Sequence, residues 1–188
     1  RKAFRRETEL FVEHALSTVG DREDPVVVDA GTGTGAIALA VKDERPDSTV
    51  FATDVSSEAV ELARSNAFRL GLDVTVLEGD LLEPLPDDLR GWVDLVASNP
   101  PYVPAEEIDD LPAEVRVEPV LALAGGVELY RRLAAQSSRW LRDGGTLAVE
   151  IDARLRDDVA RVFAETFVDV RVLRDLAGRD RVVLARAP

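Results

Sequence analysis

The sequence predicts an α/β domain: a doubly wound, mostly parallel seven-stranded sheet with one antiparallel strand at its C-terminal end. Short β-branched runs alternate with helical stretches along most of the chain. The first run ends in a glycine-rich turn, as a buried parallel strand feeding a helix does. The last two runs have no helix between them, so they are expected to pair antiparallel.

Each element has its own signal. Residues 7–18 are amphipathic and read as a helix, with His14 on its surface. Val26-Val27-Val28-Asp29-Ala30 is the first strand, and residues 35–42 the helix after it. Residues 49–54 form the second strand, and 57–70 a helix capped by Ser56 or Ser57 and ended by Gly71. The third strand is read at 73–78 and the fourth, an apolar run, at 92–98. Residues 129–141 are helical, with Gly144-Gly145 ending that helix before a strand at 146–151. A helix at 153–166 follows. The last strands, 168–173 and 181–186, flank the turn Ala177-Gly178-Arg179-Asp180. Residues 100–124, rich in Pro and Glu, carry no periodicity and are expected to wall the site as a lid or flank.

Composition narrows the function. A chain of 188 residues, 46% hydrophobic and 31% charged, suits one globular domain with a substantial core. No apolar run approaches the roughly 18–20 residues that span a bilayer, and no signal-peptide pattern opens the chain. The absence of cysteine removes disulfides and thiolate metal sites and fits the cytoplasm. One histidine builds neither a metal cluster nor a triad, so no metal is expected. The net charge of −13, without a basic block, argues against nucleic acid as a partner. The chain is expected to act as a monomer. It also contains no methionine, and Arg1-Lys2-Ala3-Phe4 reads as the interior of a longer protein. Residues 1–188 are thus expected to be one catalytic domain separated from an N-terminal partner.

The most informative residues are Asn99-Pro100-Pro101-Tyr102, after the fourth strand. They offer hydrogen-bond acceptors and almost no donors. Two consecutive prolines lack N–H groups, while the carbonyls and the Asn99 side-chain oxygen remain. The prolines also stiffen the scaffold. Such a surface suits a planar NH₂ with two hydrogens to donate, which Tyr102 can cover with its ring.

The second motif is Asp29-Ala30-Gly31-Thr32-Gly33-Thr34-Gly35-Ala36, joining the first strand to the first helix after it. Glycines there let a ligand approach the backbone and point helix N–H groups at it. The run satisfies the dinucleotide fingerprint, so an NAD site is one reading. Against it stand three carboxylates expected on one strand-end rim: Asp29, Asp54 at the end of the second strand, and Asp80 beside Leu81 after the third. They would repel a pyrophosphate but suit a cation such as S-adenosylmethionine. Asp54 would take the ribose hydroxyls and Asp80 the adenine amine. Each such charge-assisted hydrogen bond contributes roughly 1.5–3 kcal/mol.

Together these residues resemble class I S-adenosylmethionine-dependent methyltransferases that alkylate planar nitrogen. Three further matches narrow the resemblance: Arg6-Glu7-Thr8-Glu9-Leu10, Ser98-Asn99-Pro100-Pro101-Tyr102-Val103-Pro104, and Asp175-Leu176-Ala177-Gly178-Arg179-Asp180-Arg181. With them the chain is similar, nearly end to end, to the HemK/PrmC family of protein-glutamine methyltransferases. Arg6 stands where that family usually has proline, the loop at Gly125-Gly126 looks shorter, and Glu150-Ile151-Asp152 replaces a more usual Glu-Ile-Gly. The resemblance implies methylation of the glutamine in the Gly-Gly-Gln motif of peptide chain release factors. It implies cofactor contacts at Asp29, Gly31, Thr32, Gly33, Gly35, Asp54, Asp80, Leu81 and Asn99, and catalytic roles for Asn99, Pro100 and Tyr102. It also implies that the family's helical N-terminal domain lies outside these residues. Two other readings stay open: a methyltransferase for exocyclic amines of adenine or guanine in RNA or DNA, and an NAD enzyme or silent nucleotide-binding module.

Overall fold

Strands and helices alternate through residues 6–100, 126–175 and 177–188, which the computed structural model describes. In chain order they are α1 (Arg6–Ser17), β1 (Val26–Ala30), α2 (Ala36–Glu44), β2 (Thr49–Asp54), α3 (Ser57–Leu70), β3 (Thr75–Glu78) and β4 (Val93–Ser98). After these come α4 (Gly126–Trp140), β5 (Leu141–Glu150), α5 (Arg156–Ala164), β6 (Val168–Arg174) and β7 (Asp180–Arg186). The strands form one sheet in the order β3-β2-β1-β4-β5-β7-β6, with β7 antiparallel to both neighbours and the other pairs parallel.

Helices cover both faces because residues alternate across each strand. Val27, Leu95 and Ala97 pack toward Phe11, Val12, Ile37 and Val60 of α1 to α3. Val28, Val96 and Leu147 pack toward Tyr130, Leu133 and Phe163 of α4 and α5. The central strand β4 is buried along its whole length. Among the described residues no helix is long and apolar enough to cross a membrane.

Local chemistry sets the ends of α3. The Ser56 hydroxyl accepts from the Ala59 N–H at 3.3 Å. Gly71, at φ 67°, turns its N–H back to the carbonyls of Ala67 and Phe68.

Several boundaries differ from the sequence reading. Helix α4 starts at Gly126 and stops at Trp140, and β5 begins at the next residue, so Gly144-Gly145 lie inside the strand. Val93 pairs with Leu141 but Leu95 with Thr146, so the intervening residues of β5 bulge out. A Cβ on Gly145 would sit 3.0 Å from the carbonyls of Val93 and Arg142, which explains glycine there. The stretch expected as one helix at 153–166 is a 3₁₀ turn, Ala153–Leu155, followed by α5. Asp152 caps that turn through the Arg154 N–H at 2.8 Å. Finally, β3 starts at Thr75 instead of residue 73, and Trp92 stands exposed just before β4.

Candidate active site

The strand order reverses between β1 and β4, and open α/β sheets bind ligands outside the carboxyl ends of their strands at such a point. Asp29 of β1 pairs in register with Ala97 of β4, so the glycine loop and Asn99 leave the sheet side by side. The Ser98 hydroxyl donates to the Ala30 carbonyl at 2.6 Å and ties the two strand ends together. Asn99 is exposed at this rim and Pro100 is buried beside it. Tyr102, with the rest of residues 101–125, lies outside the described residues.

The loop from β1 to α2 turns on three glycines in the left-handed region, Gly31 at φ 71°, Gly33 at φ 55° and Gly35 at φ 85°. Gly35 also meets α3: a Cβ there would lie 3.1 Å from Leu39 Cδ1 and 3.3 Å from Ala63 Cβ. The loop spends its amides internally. The N–H groups of Gly31 and Thr32 both donate to the Thr53 carbonyl at 2.9 Å, and that of Gly35 to the Thr32 carbonyl at 3.0 Å. The Gly33 N–H donates to Asp54 Oδ2 at 2.8 Å. A phosphate cradle needs these donors free; here four of them already have acceptors, which weakens the NAD reading.

The three carboxylates do not share one rim. Asp29 is fully buried beneath the loop. Its Oδ2 accepts from the Thr32 hydroxyl at 2.6 Å and from the Ala38 N–H at 3.0 Å, so a strand residue caps α2. Its Oδ1 is buried without a hydrogen-bond partner. Burial pushes the carboxyl up to about 6, with Asp54 adding to the rise and the Thr32 and Ala38 hydrogen bonds opposing it. A buried, half-satisfied carboxylate under the loop favours a nearby cation over an anion.

Asp54 is half-buried at the end of β2, accepting from Gly33 N–H through Oδ2 and from Ser56 N–H at 2.9 Å through Oδ1. Each oxygen keeps a lone pair for a further donor. Asp80 follows β3, and its Oδ2 is ion-paired with Nη2 of Arg132 on α4. Leu81, beside it, is buried with φ 50°. Arg132 carries no motif and gives no sequence signal of this role; its partner lies 52 residues away.

The chain is 43% identical over 190 residues to the release factor glutamine methyltransferase of Moorella thermoacetica, covering 96% of this chain and 65% of that protein. It is 43% identical over 185 residues to the release factor glutamine methyltransferase of Deinococcus radiodurans, covering 97% of this chain and 65% of that protein. The chain thus spans about 65% of the length of these relatives. Among solved structures, an S-adenosylmethionine-dependent O-methyltransferase from Thermotoga maritima superposes with TM-score 0.69 at 16% identity, covering 100% of this chain and 66% of that one. At that identity the likeness speaks for the fold. A model of the methyltransferase small domain matches residues 3–115, more than half of the chain, and the protein belongs to that family.

Proposed function

We propose that this domain transfers a methyl group from S-adenosylmethionine to the side-chain amide nitrogen of the glutamine in the Gly-Gly-Gln motif of peptide chain release factors. The observation that carries the proposal is the pairing at the switch point. An exposed Asn99 and a donor-free Pro100 leave β4 beside a glycine loop four of whose amides already have acceptors within the protein. The 43% identity to release factor glutamine methyltransferases supports the choice of acceptor.

The residues fit the cofactor. Asp54 would hold the ribose hydroxyls, Asp80 with Leu81 the adenine side, and Gly31, Thr32, Gly33 and Gly35 the approach of the remaining chain. Asp29, with Oδ1 unpartnered, suits the positive charge of the ligand from below. Bound there, S-adenosylmethionine would supply an electrophilic methyl group on a sulfonium.

The acceptor side is the work of this chain. An amide nitrogen is a weak nucleophile because its lone pair is delocalised into the carbonyl. Asn99 Oδ1 and the Pro100 carbonyl would each accept one hydrogen of the amide, holding its lone pair clear for in-line attack. Both oxygens then face the positive charge that develops on nitrogen. The alkylated nitrogen is strongly acidic and gives its proton to water without a dedicated base. Tyr102 would pack on the amide plane.

Two acceptors at this spacing would also orient the exocyclic amine of adenine or guanine, as an RNA or DNA methyltransferase requires. The net charge of −13 sets that reading second, because phosphate neutralisation dominates nucleic-acid affinity.

Asn99→Ala tests the proposal. Single-turnover methyl transfer to release factor should fall by about 10²–10³, as when one preorganised contact is removed. S-adenosylhomocysteine affinity should fall by far less than turnover does. Near-normal turnover would refute the two-acceptor mechanism, and transfer to RNA in preference to release factor would establish the second reading.

A further inference from the structure

Building on that methyltransferase reading, we infer that Arg132 and Gln136 of α4 are positioning residues for the adenine side of the cofactor site. They hold the loop after β3 so that Asp80 presents one carboxylate oxygen to the adenine amine.

The loop from Gly79 to Leu82 is held in a conformation it would not choose alone. Gly79 donates its N–H to the Asp54 carbonyl at 2.9 Å, which fixes the loop to the end of β2. A Cβ on Gly79 would lie 2.8 Å from the Pro84 ring, so glycine is required. Leu81 is a leucine at φ 50°, in the left-handed region that Cβ disfavours. Such backbone persists where the surroundings over-determine it. Part of that constraint is burial, since Leu81 and Leu82 both point into the core.

The rest comes from α4. The Leu82 N–H donates to Gln136 Oε1 at 2.8 Å, and Arg132 Nη2 donates to Asp80 Oδ2. Positions four apart lie on one helical face, so the two contacts form a clamp, one on the backbone and one on the carboxylate. Tyr130, two residues earlier, donates to the Glu150 carbonyl at 3.1 Å and seats the same helix against the carboxyl end of β5.

The clamp has a directional consequence. With Arg132 on Oδ2, Asp80 has its Oδ1 left without a donor among the described residues, on a half-exposed carboxylate. An unpaired aspartate there would sample several rotamers, and an acceptor that must be ordered on binding loses affinity. The Arg132 and Asp80 side chains are 45% and 40% exposed, so the pair adds little to folding. Its value lies in aim. Variants at Arg132 should therefore fold.

The test measures binding, by calorimetry, of S-adenosylhomocysteine and of S-inosylhomocysteine, whose 6-oxo group replaces the amine. Wild type should prefer the adenine ligand by roughly tenfold or more. Arg132→Met should weaken the adenine ligand by about tenfold and the inosine ligand by less than about twofold, compressing the preference. Arg132→Lys, which restores charge without the planar fork, should recover part of it. In an Asp80→Asn background Arg132→Met should leave the preference unchanged.

Equal losses for both ligands in Arg132→Met would overturn the inference, as would unchanged affinities or tighter adenine binding. Wild-type protein that bound neither ligand would overturn the methyltransferase reading itself, and this inference with it. Wild type that discriminates, beside an Arg132→Met that discriminates equally well, would overturn the positioning role alone.

Discussion

Two buried aspartates on neighbouring strands, Asp94 on β4 and Asp29 on β1, show how differently the two ends of one sheet use the same side chain. Asp94 sits near the amino end of β4 and is 4% exposed. Its Oδ2 accepts from the Val26 N–H at 2.9 Å, and its Oδ1 pairs with Arg22 Nε at 2.7 Å and with Arg142 Nε. Three segments are joined there: the loop before β1, the start of β1 and the bulge of β5. Asp29 sits at the carboxyl end of β1, fully buried, with no cation paired to it among the described residues and one oxygen without a hydrogen-bond partner. A satisfied buried carboxylate holds the fold together. An unsatisfied one raises the energy of the free protein and leaves something for a ligand to gain. The amino end of the sheet thus carries a buried carboxylate with both oxygens paired, and the carboxyl end one with an oxygen unpaired.

Disrupting the paired carboxylate should cost the most. Asp94→Ala removes the carboxylate, orphans the Val26 N–H and leaves two guanidinium groups without their anion. Removing one partner of a buried pair costs about 3–5 kcal/mol. Arg22 and Arg142 keep 42% and 29% of their side-chain surface exposed and can rehydrate, so the lower part of that range is expected. Urea unfolding should show the loss, with S-adenosylhomocysteine affinity unchanged at low temperature. A variant of wild-type stability that lost ligand affinity would invert the comparison.

The unsatisfied end should declare itself through pH. Burial raises the Asp29 carboxyl from 3.8 in the unfolded chain to about 6 in the folded one. The folded state therefore holds the proton more tightly. Relative to the ionised form, stability is fully present below pH 3.8 and is lost as pH rises through about 6. The whole loss corresponds to about 3 kcal/mol. Asp29→Asn cannot ionise. Its stability relative to wild type should therefore improve by up to that amount between about pH 4 and pH 7, whatever the offset from its new amide. Parallel stability profiles for the two proteins across that window would show that Asp29 is not held in the half-satisfied state described here.

Much of this frame was legible in the sequence, and the reasons are local. Strand β2 and helix α3 fall where the β-branched run, the Ser56 cap and Gly71 put them. The antiparallel β7 followed from the missing helix between the last two runs. What the sequence hid depends on contacts distant along the chain. Gly144-Gly145 read as a helix stop, because nothing nearby reveals that Arg142 must reach Asp94 from a bulge. Asp94 itself passed as one polar residue in an apolar run. Asp29 read as a rim acid because its motif position is shared by capping and ligand roles; only the Ala38 N–H at 3.0 Å shows that it also caps the start of α2. Asp80 read as a free acceptor, since no spacing rule links it to Arg132.

An acid of intermediate character, Asp54, should show a smaller change. Asp54 is satisfied like Asp94, with both oxygens accepting backbone N–H groups from Gly33 and Ser56, yet it is half-buried and stands, as Asp29 does, at the carboxyl end of its strand. If it holds ribose hydroxyls, Asp54→Ala should cost about 1.5–3 kcal/mol of S-adenosylhomocysteine affinity. The same substitution frees the Gly33 N–H and loosens the glycine loop, so affinity alone does not separate the two effects. A 2′,3′-dideoxy analogue of S-adenosylhomocysteine does. Against wild type the analogue should bind weaker by about the same 1.5–3 kcal/mol. Against Asp54→Ala it should bind nearly as well as the parent ligand, because the hydroxyls have already lost their acceptor. Losses that simply add would mean Asp54 only shapes the loop, and would move it to the stabilising side of the comparison alongside Asp94.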